Sequence, residues 1–121
     1  MQEGASVDVA ATLINYLDEA SSIPWYHNSP SPQNAPTEYG TLNRDGGAYD
    51  EFVRDQPTIT LIIYASTRGR AASLANSVKR ALIASKWAVD NVFEVSILSD
   101  YYDPLDGKHR HRITASLVVN D

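Results

Sequence analysis

The C-terminal part of the chain limits most strongly what it can fold into. Val92 to Leu98 alternates, with Phe93, Val95 and Ile97 on one side, and the run from Ile113 to Val119 repeats the pattern with Ile113, Ala115, Leu117 and Val119. A period of two over such runs means two strands, each with one face turned to a core. Between them lies Asp100-Tyr101-Tyr102-Asp103-Pro104-Leu105-Asp106-Gly107-Lys108-His109-Arg110-His111-Arg112, an aromatic and acidic approach, a Pro-, Asp- and Gly-bearing turn, and a basic cluster. The two strands are therefore expected to pair antiparallel through a turn over Asp100 to Arg112 that is charged enough to face outward.

The rest of the chain supplies partners for that pair. Thr58 to Tyr64 reads as a strand with Ile59, Leu61 and Ile63 on one face and Thr58, Thr60, Ile62 and Tyr64 on the other. Val9, Ala10, Leu13, Ile14 and Leu17 recur at helical spacing, which predicts a helix from about Val7 to Glu19 with Ser6 or Asp8 as its cap. A second helix follows Ser66 or Thr67, with Ala71, Leu74, Ala75, Val78 and Leu82 as its apolar stripe. Pro24 to Pro57 holds five of the six prolines and reads as loop, apart from a short extended piece at Pro24 to His27 and a strand at Glu38 to Leu42. That leaves a Pro-rich loop at about 27–37 and a second loop at about 43–57.

The order of these elements predicts an α+β domain spanning 1–121. It has a mostly antiparallel sheet of about four strands with two helices packed on one face. The other face would show Thr58, Thr60, Ile62, Tyr64, Glu94, Ser96, Leu98, Thr114, Ser116 and Val118, a semi-apolar surface suited to a subunit contact.

Composition narrows the chemistry. With no cysteine there is no disulfide, thiol nucleophile or cysteine-based zinc site. A formal charge of −5 disfavours general nucleic-acid binding, because phosphate affinity grows with the cations set against the backbone. No apolar run reaches the length of a transmembrane helix, and Met1-Gln2-Glu3-Gly4 lacks the features of a secretory signal.

His109 and His111, two residues apart, could share a face with Asp103 and Asp106 nearby, which is a weak metal pattern beside the commoner solvated histidine. No serine sits in a Gly-x-Ser-x-Gly turn, and Gly46-Gly47 lacks the Lys-Ser/Thr of a phosphate loop. An enzyme is disfavoured, and no cofactor is expected. Lys108 to Arg112 carries three fixed positive charges without interleaved aromatics, which favours an acidic protein partner over nucleic acid.

The stretch Asp103-Pro104-Leu105-Asp106-Gly107-Lys108-His109-Arg110 resembles the Asp-Pro-x-Thr/Ser-Gly-x-x-Arg turn before the last strand in tail terminator (tail completion, or minor tail) proteins of long-tailed bacteriophages and prophages. Pro57-Thr58-Ile59-Thr60-Leu61 and Tyr64-Ala65-Ser66-Thr67-Arg68 resemble that family's central strand and the start of its second helix, and the order of elements agrees over nearly the whole chain. Asp106 stands where the family more often has Thr or Ser.

The resemblance implies a virion structural protein, made in the host bacterial cytoplasm. It would form a homo-hexameric ring at the head-proximal end of the tail tube, ending tube polymerisation and docking the head connector or stopper. Genomic DNA would be met only in transit, and six acidic subunits would repel it from the channel wall. Subunit or partner contacts are assigned to Lys108, His109, Arg110, Arg112, Arg68, Arg70, Arg44, Tyr49, Arg54 and Tyr64. The rival readings are a head-completion connector ring, a monomeric binding module gripping its partner through the basic hairpin 107–112, and, last, a metal-dependent enzyme.

Overall fold

The computed structural model describes residues 9–31, 33–50 and 54–120. In chain order the elements are α1 (Val9–Ala20), β1 (Trp25–Tyr26), β2 (Tyr39–Asp50), β3 (Arg54–Ala65), α2 (Arg68–Ala88), β4 (Val92–Tyr102) and β5 (His109–Asn120). The strands form one sheet in the order β1-β2-β3-β5-β4, antiparallel throughout except for the parallel β1–β2 edge. The fold is α+β, with both helices packed on one face of the sheet. No helix among the described residues is long and apolar enough to cross a membrane.

The alternation in the central strands creates this arrangement. Ile59, Leu61 and Ile63 of β3 and Ile113, Ala115, Leu117 and Val119 of β5 are all buried on the helix side. They meet Leu13 and Leu17 of α1 and Ala71, Leu74, Ala75, Val78 and Leu82 of α2 in one core. Each fully buried Leu or Ile contributes about 2 kcal/mol relative to exposure. Thr67 caps α2, its side chain accepting a hydrogen bond from the Arg70 N–H at 3.1 Å.

Three expectations need correction. The loop at 43–57 is mostly sheet: β2 runs to Asp50 and β3 begins at Arg54, while residues 51–53 lie outside the described ones. Within it the register shifts between Arg44 and Gly46, a bulge in which Asp45 is the extra residue. Pro57 pairs with Gly47 on one side, and the pairing to β5 skips Gln56 and Pro57, as it must where a proline has no N–H.

Second, the sheet has five strands, because the extended piece after Pro24 joins it as β1. Third, Phe93 does not face the core. β4 is bulged between Val92 and Glu94 and again between Ile97 and Ser99, so Val92 is buried, whereas Phe93 and Leu98, the extra residues, are exposed. An edge strand tolerates such bulges because only one neighbour must keep register.

The two-residue strand β1 seats Trp25 at the sheet edge. That side chain is buried, its indole N–H donates to Ser21 Oγ at 2.8 Å, and its backbone N–H donates to Asp18 Oδ1 at 2.8 Å. Ser21 Oγ in turn donates to the Leu17 carbonyl at 2.7 Å, so the end of α1 is tied to the sheet edge. Trp25 lies beside Gly40, where an added Cβ would fall 2.5 to 2.7 Å from three ring carbons. Gly40→Ala should therefore displace the indole and cost about 2 kcal/mol in denaturant unfolding. The same variant should shift the buried Trp25 fluorescence to longer wavelength, and unchanged stability would mean that the ring moves aside freely.

Candidate binding site at the hairpin mouth

The β4–β5 connection is tighter than the sequence suggests. Both strands continue into the expected turn, leaving Asp103 to Lys108 between them. Leu105 and Lys108 exchange two backbone hydrogen bonds, of 3.2 and 2.9 Å, around Asp106 and Gly107. Both central residues have positive φ, 52° at Asp106 and 75° at Gly107, so this is a type I′ turn and Asp-Gly is the sequence such a turn favours.

On the face away from the helices, Asp103 binds both hairpin arginines. Its carboxylate accepts from Arg110 Nη2 at 2.9 Å and from Arg112 Nε at 3.1 Å, and its backbone carbonyl accepts from Arg110 Nε at 2.9 Å. Arg110 is only 6% exposed. The expectation that the whole basic run faces outward is thus corrected: a guanidinium at a strand position needs a carboxylate to be buried, and Asp103 provides it. Within the run Lys108 is exposed and forms no ion pair among the described residues.

Arg110 also borders an aromatic pair on the same face. Its guanidinium lies 5.7 Å from the Tyr64 ring centroid, and Tyr64 stacks on Tyr39 of the neighbouring strand at 4.3 Å. The Pro-rich loop closes over this pair, with Ser29 Oγ 3.3 Å from the Tyr64 hydroxyl. At its far end Glu38 receives two hydrogen bonds from Arg70 of α2, which hold its carboxyl below the ordinary value. Between loop and sheet is a cavity of about 280 Å³, lined by Ala35, Pro36, Thr37, Tyr39, Tyr64, Ala65 and Lys108.

The two tyrosines differ electrostatically. Burial pushes the Tyr39 hydroxyl up from its ordinary value and Tyr64 adds to the rise, with Ser29 and the charge of Arg110 acting the other way. Burial also raises Tyr64, but the Ser29 hydrogen bond and the charges of Arg110 and Lys108 outweigh it and leave that hydroxyl below its ordinary value.

The helix-facing side of the hairpin carries a separate network. His111 Nδ1 lies 2.6 Å from Asp100 Oδ1, and Lys79 of α2 lies 2.5 Å from Asp100 Oδ2. His109 Nδ1 is 2.7 Å from the Tyr102 hydroxyl, and the Arg68 guanidinium sits 4.3 Å above the Tyr102 ring. The two histidines do share a face, but each has its own partner, and no group of three or more potential metal ligands converges among the described residues.

The structure therefore gathers Lys108, Arg110, Arg112 and Tyr64 on one side of the hairpin, and His109 and Arg68 on the other. Arg70 is engaged by Glu38, and Arg44 pairs with buried Asp55 at 2.5 Å at the far end of the sheet. The side chains of Tyr49 and Arg54 lie outside the described ones. Sequence reasoning missed Asp103 as an internal partner, Tyr39 as the second wall of the cavity, and the exposed pair Ile83 and Trp87. Spacing marks that last pair, since the two residues are four apart and off the apolar stripe of α2.

Burial pushes the Asp100 carboxyl up, but the hydrogen bonds and charges of Lys79 and His111 hold it below its ordinary value. A lowered carboxylate adds stability above its unfolded value of about 4, and that stability is lost as pH falls through the lower folded value. Asp100→Asn should thus cost about 1–2 kcal/mol at pH 7, and the gap from wild type should close below about pH 4. Urea melts at both pH values would check this, and a gap that persists in acid would contradict it. No family model and no curated protein matches the chain.

Proposed function

We propose that this chain is a structural subunit that closes head to tail into a ring on the head-proximal end of a bacteriophage tail tube. There it stops tube growth and offers the head connector a docking surface, making and breaking no bond. The observation that carries the assembly part of this reading is Trp87, 81% exposed on α2 and one turn beyond exposed Ile83. An indole left in water forgoes about 2–3 kcal/mol of burial, and tryptophan is among the commonest anchors of protein interfaces.

A ring of identical subunits needs two different surfaces on each copy. One is the outward side of α2, with Ile83 and Trp87, remote from the stripe that packs on the sheet. The other is the opposite face of the sheet, where Thr58, Ile62, Thr114, Ser116 and Val118 are half-buried and no described helix covers them. The tail-end role rests on the resemblance of the turn at 103–110 and of the element order. The charge of −5 per subunit fits a channel that DNA crosses without adhering.

Light scattering and electron microscopy, with and without tail tubes, test the proposal. The wild type should form six-fold rings, alone or on tubes, and Trp87→Ala should weaken assembly at least about tenfold. Its monomer stability should stay within about 0.5 kcal/mol of wild type, because the side chain is exposed. A wild-type chain that remains monomeric at every concentration and leaves tube growth unchanged would contradict the reading.

A further inference from the structure

We propose that the outward side of α2 docks on the open sheet face of a second copy through ion contacts that flank its apolar pair, Arg80 and Lys86 of one copy meeting Glu94 and Asp45 of the next. The inference rests on the head-to-tail ring proposed above and specifies the contact between its two surfaces. Arg80, Ile83 and Trp87 stand at positions i, i+3 and i+7, and Lys86 lies about one turn beyond Ile83, so the four adjoin on one side of the helix. All four are exposed. The Lys86 ammonium sits 5.0 Å from the Trp87 ring centroid, and neither cation forms an ion pair among the described residues. The side of α2 that leaves an indole in water therefore also leaves two positive charges unanswered.

The open sheet face carries the matching arrangement. Its half-buried Thr58, Ser116 and Val118 lie between two exposed carboxylates that form no ion pair among the described residues. Glu94 of β4 stands opposite Val118, and Asp45, the bulge residue of β2, accepts a hydrogen bond from Thr60 Oγ1. β3 and β5 separate β2 from β4, so the two carboxylates stand about 14 Å apart across three strand spacings. Arg80 and Lys86 lie about 9 Å apart along the helix axis and point to either flank of it, and their long side chains span the difference. The other end of the face is ruled out by charge: there Arg110 and Arg112 share the one carboxylate of Asp103, and the excess positive charge repels a cationic helix. Two chains that each carry −5 also repel as wholes, which confines their contact to places where cations of one meet carboxylates of the other. An apolar centre with charges at its rim is the usual layout of a specific protein interface.

The test uses two double variants of the full chain. Arg80→Glu with Lys86→Glu reverses the helix side, and Glu94→Lys with Asp45→Asn reverses the sheet side while asparagine keeps an acceptor for Thr60. Light scattering and electron microscopy, with and without tail tubes, follow each variant alone and their equimolar mixture, and urea melts check that each folds. Each variant alone should assemble at least about tenfold more weakly than wild type. The mixture should recover six-fold rings in which the two variants alternate, because every contact then joins opposite charges. Wild-type assembly should also weaken as salt rises from about 0.05 to about 0.5 M, and this series decides the matter if a variant does not fold. Three results would overturn the proposal while leaving the ring in place: either variant assembling alone as readily as wild type, a mixture of folded variants that stays unassembled, or assembly indifferent to salt. A wild-type chain that is monomeric under every condition would remove the ring and this contact with it.

Discussion

The carboxylate of Asp103 holds two arginines from the neighbouring strand at the point where β4 and β5 part. Arg110 can be nearly buried on a strand only because that partner is present, since an unpaired guanidinium removed from water would cost several kcal/mol. The position of Arg110 sets what surrounds it. Its guanidinium supports the Tyr64 ring, Tyr64 stacks on Tyr39, and the Pro-rich loop rests on that stack through Ser29. The hairpin, the loop and the cavity between them thus depend on one ion cluster at the sheet's end.

This changes what the basic run means. Three cations and two histidines within five residues suggest an outward patch for an anionic partner. In the folded chain Arg110 and Arg112 share the single carboxylate of Asp103, His111 faces Asp100, and His109 faces Tyr102. Lys108 remains at the cavity, its ammonium 5.7 Å from the Tyr64 ring centroid. The hairpin therefore offers less free charge outside than its sequence suggests, and α2 separately offers an apolar pair. The apolar pair suits a protein surface.

Much of the fold was legible because the signal was periodic. The alternation in Thr58 to Tyr64 and Ile113 to Val119, and the apolar stripes of α1 and α2, reflect burial on one face, and the sheet core is built from those residues. Legibility failed where one extra residue broke the period. Asp45, Phe93 and Leu98 sit at bulges, and a bulge is set by pairing across strands, which a single run of residues does not reveal. The cavity was hidden for a similar reason: Tyr39 and Tyr64 are 25 positions apart in sequence and meet only through the β2–β3 register. The turn was the opposite case, since Asp-Gly states its own backbone geometry.

The most direct measurement is a double-mutant cycle of Asp103→Ala and Arg110→Ala, followed by denaturant unfolding of the four proteins. If the pair holds the hairpin mouth together, each single substitution is strongly destabilising and the coupling energy is about 2 kcal/mol or more. A coupling near zero, with Arg110→Ala as stable as wild type, would show that Arg110 is not anchored inside and would return the whole basic run to the surface.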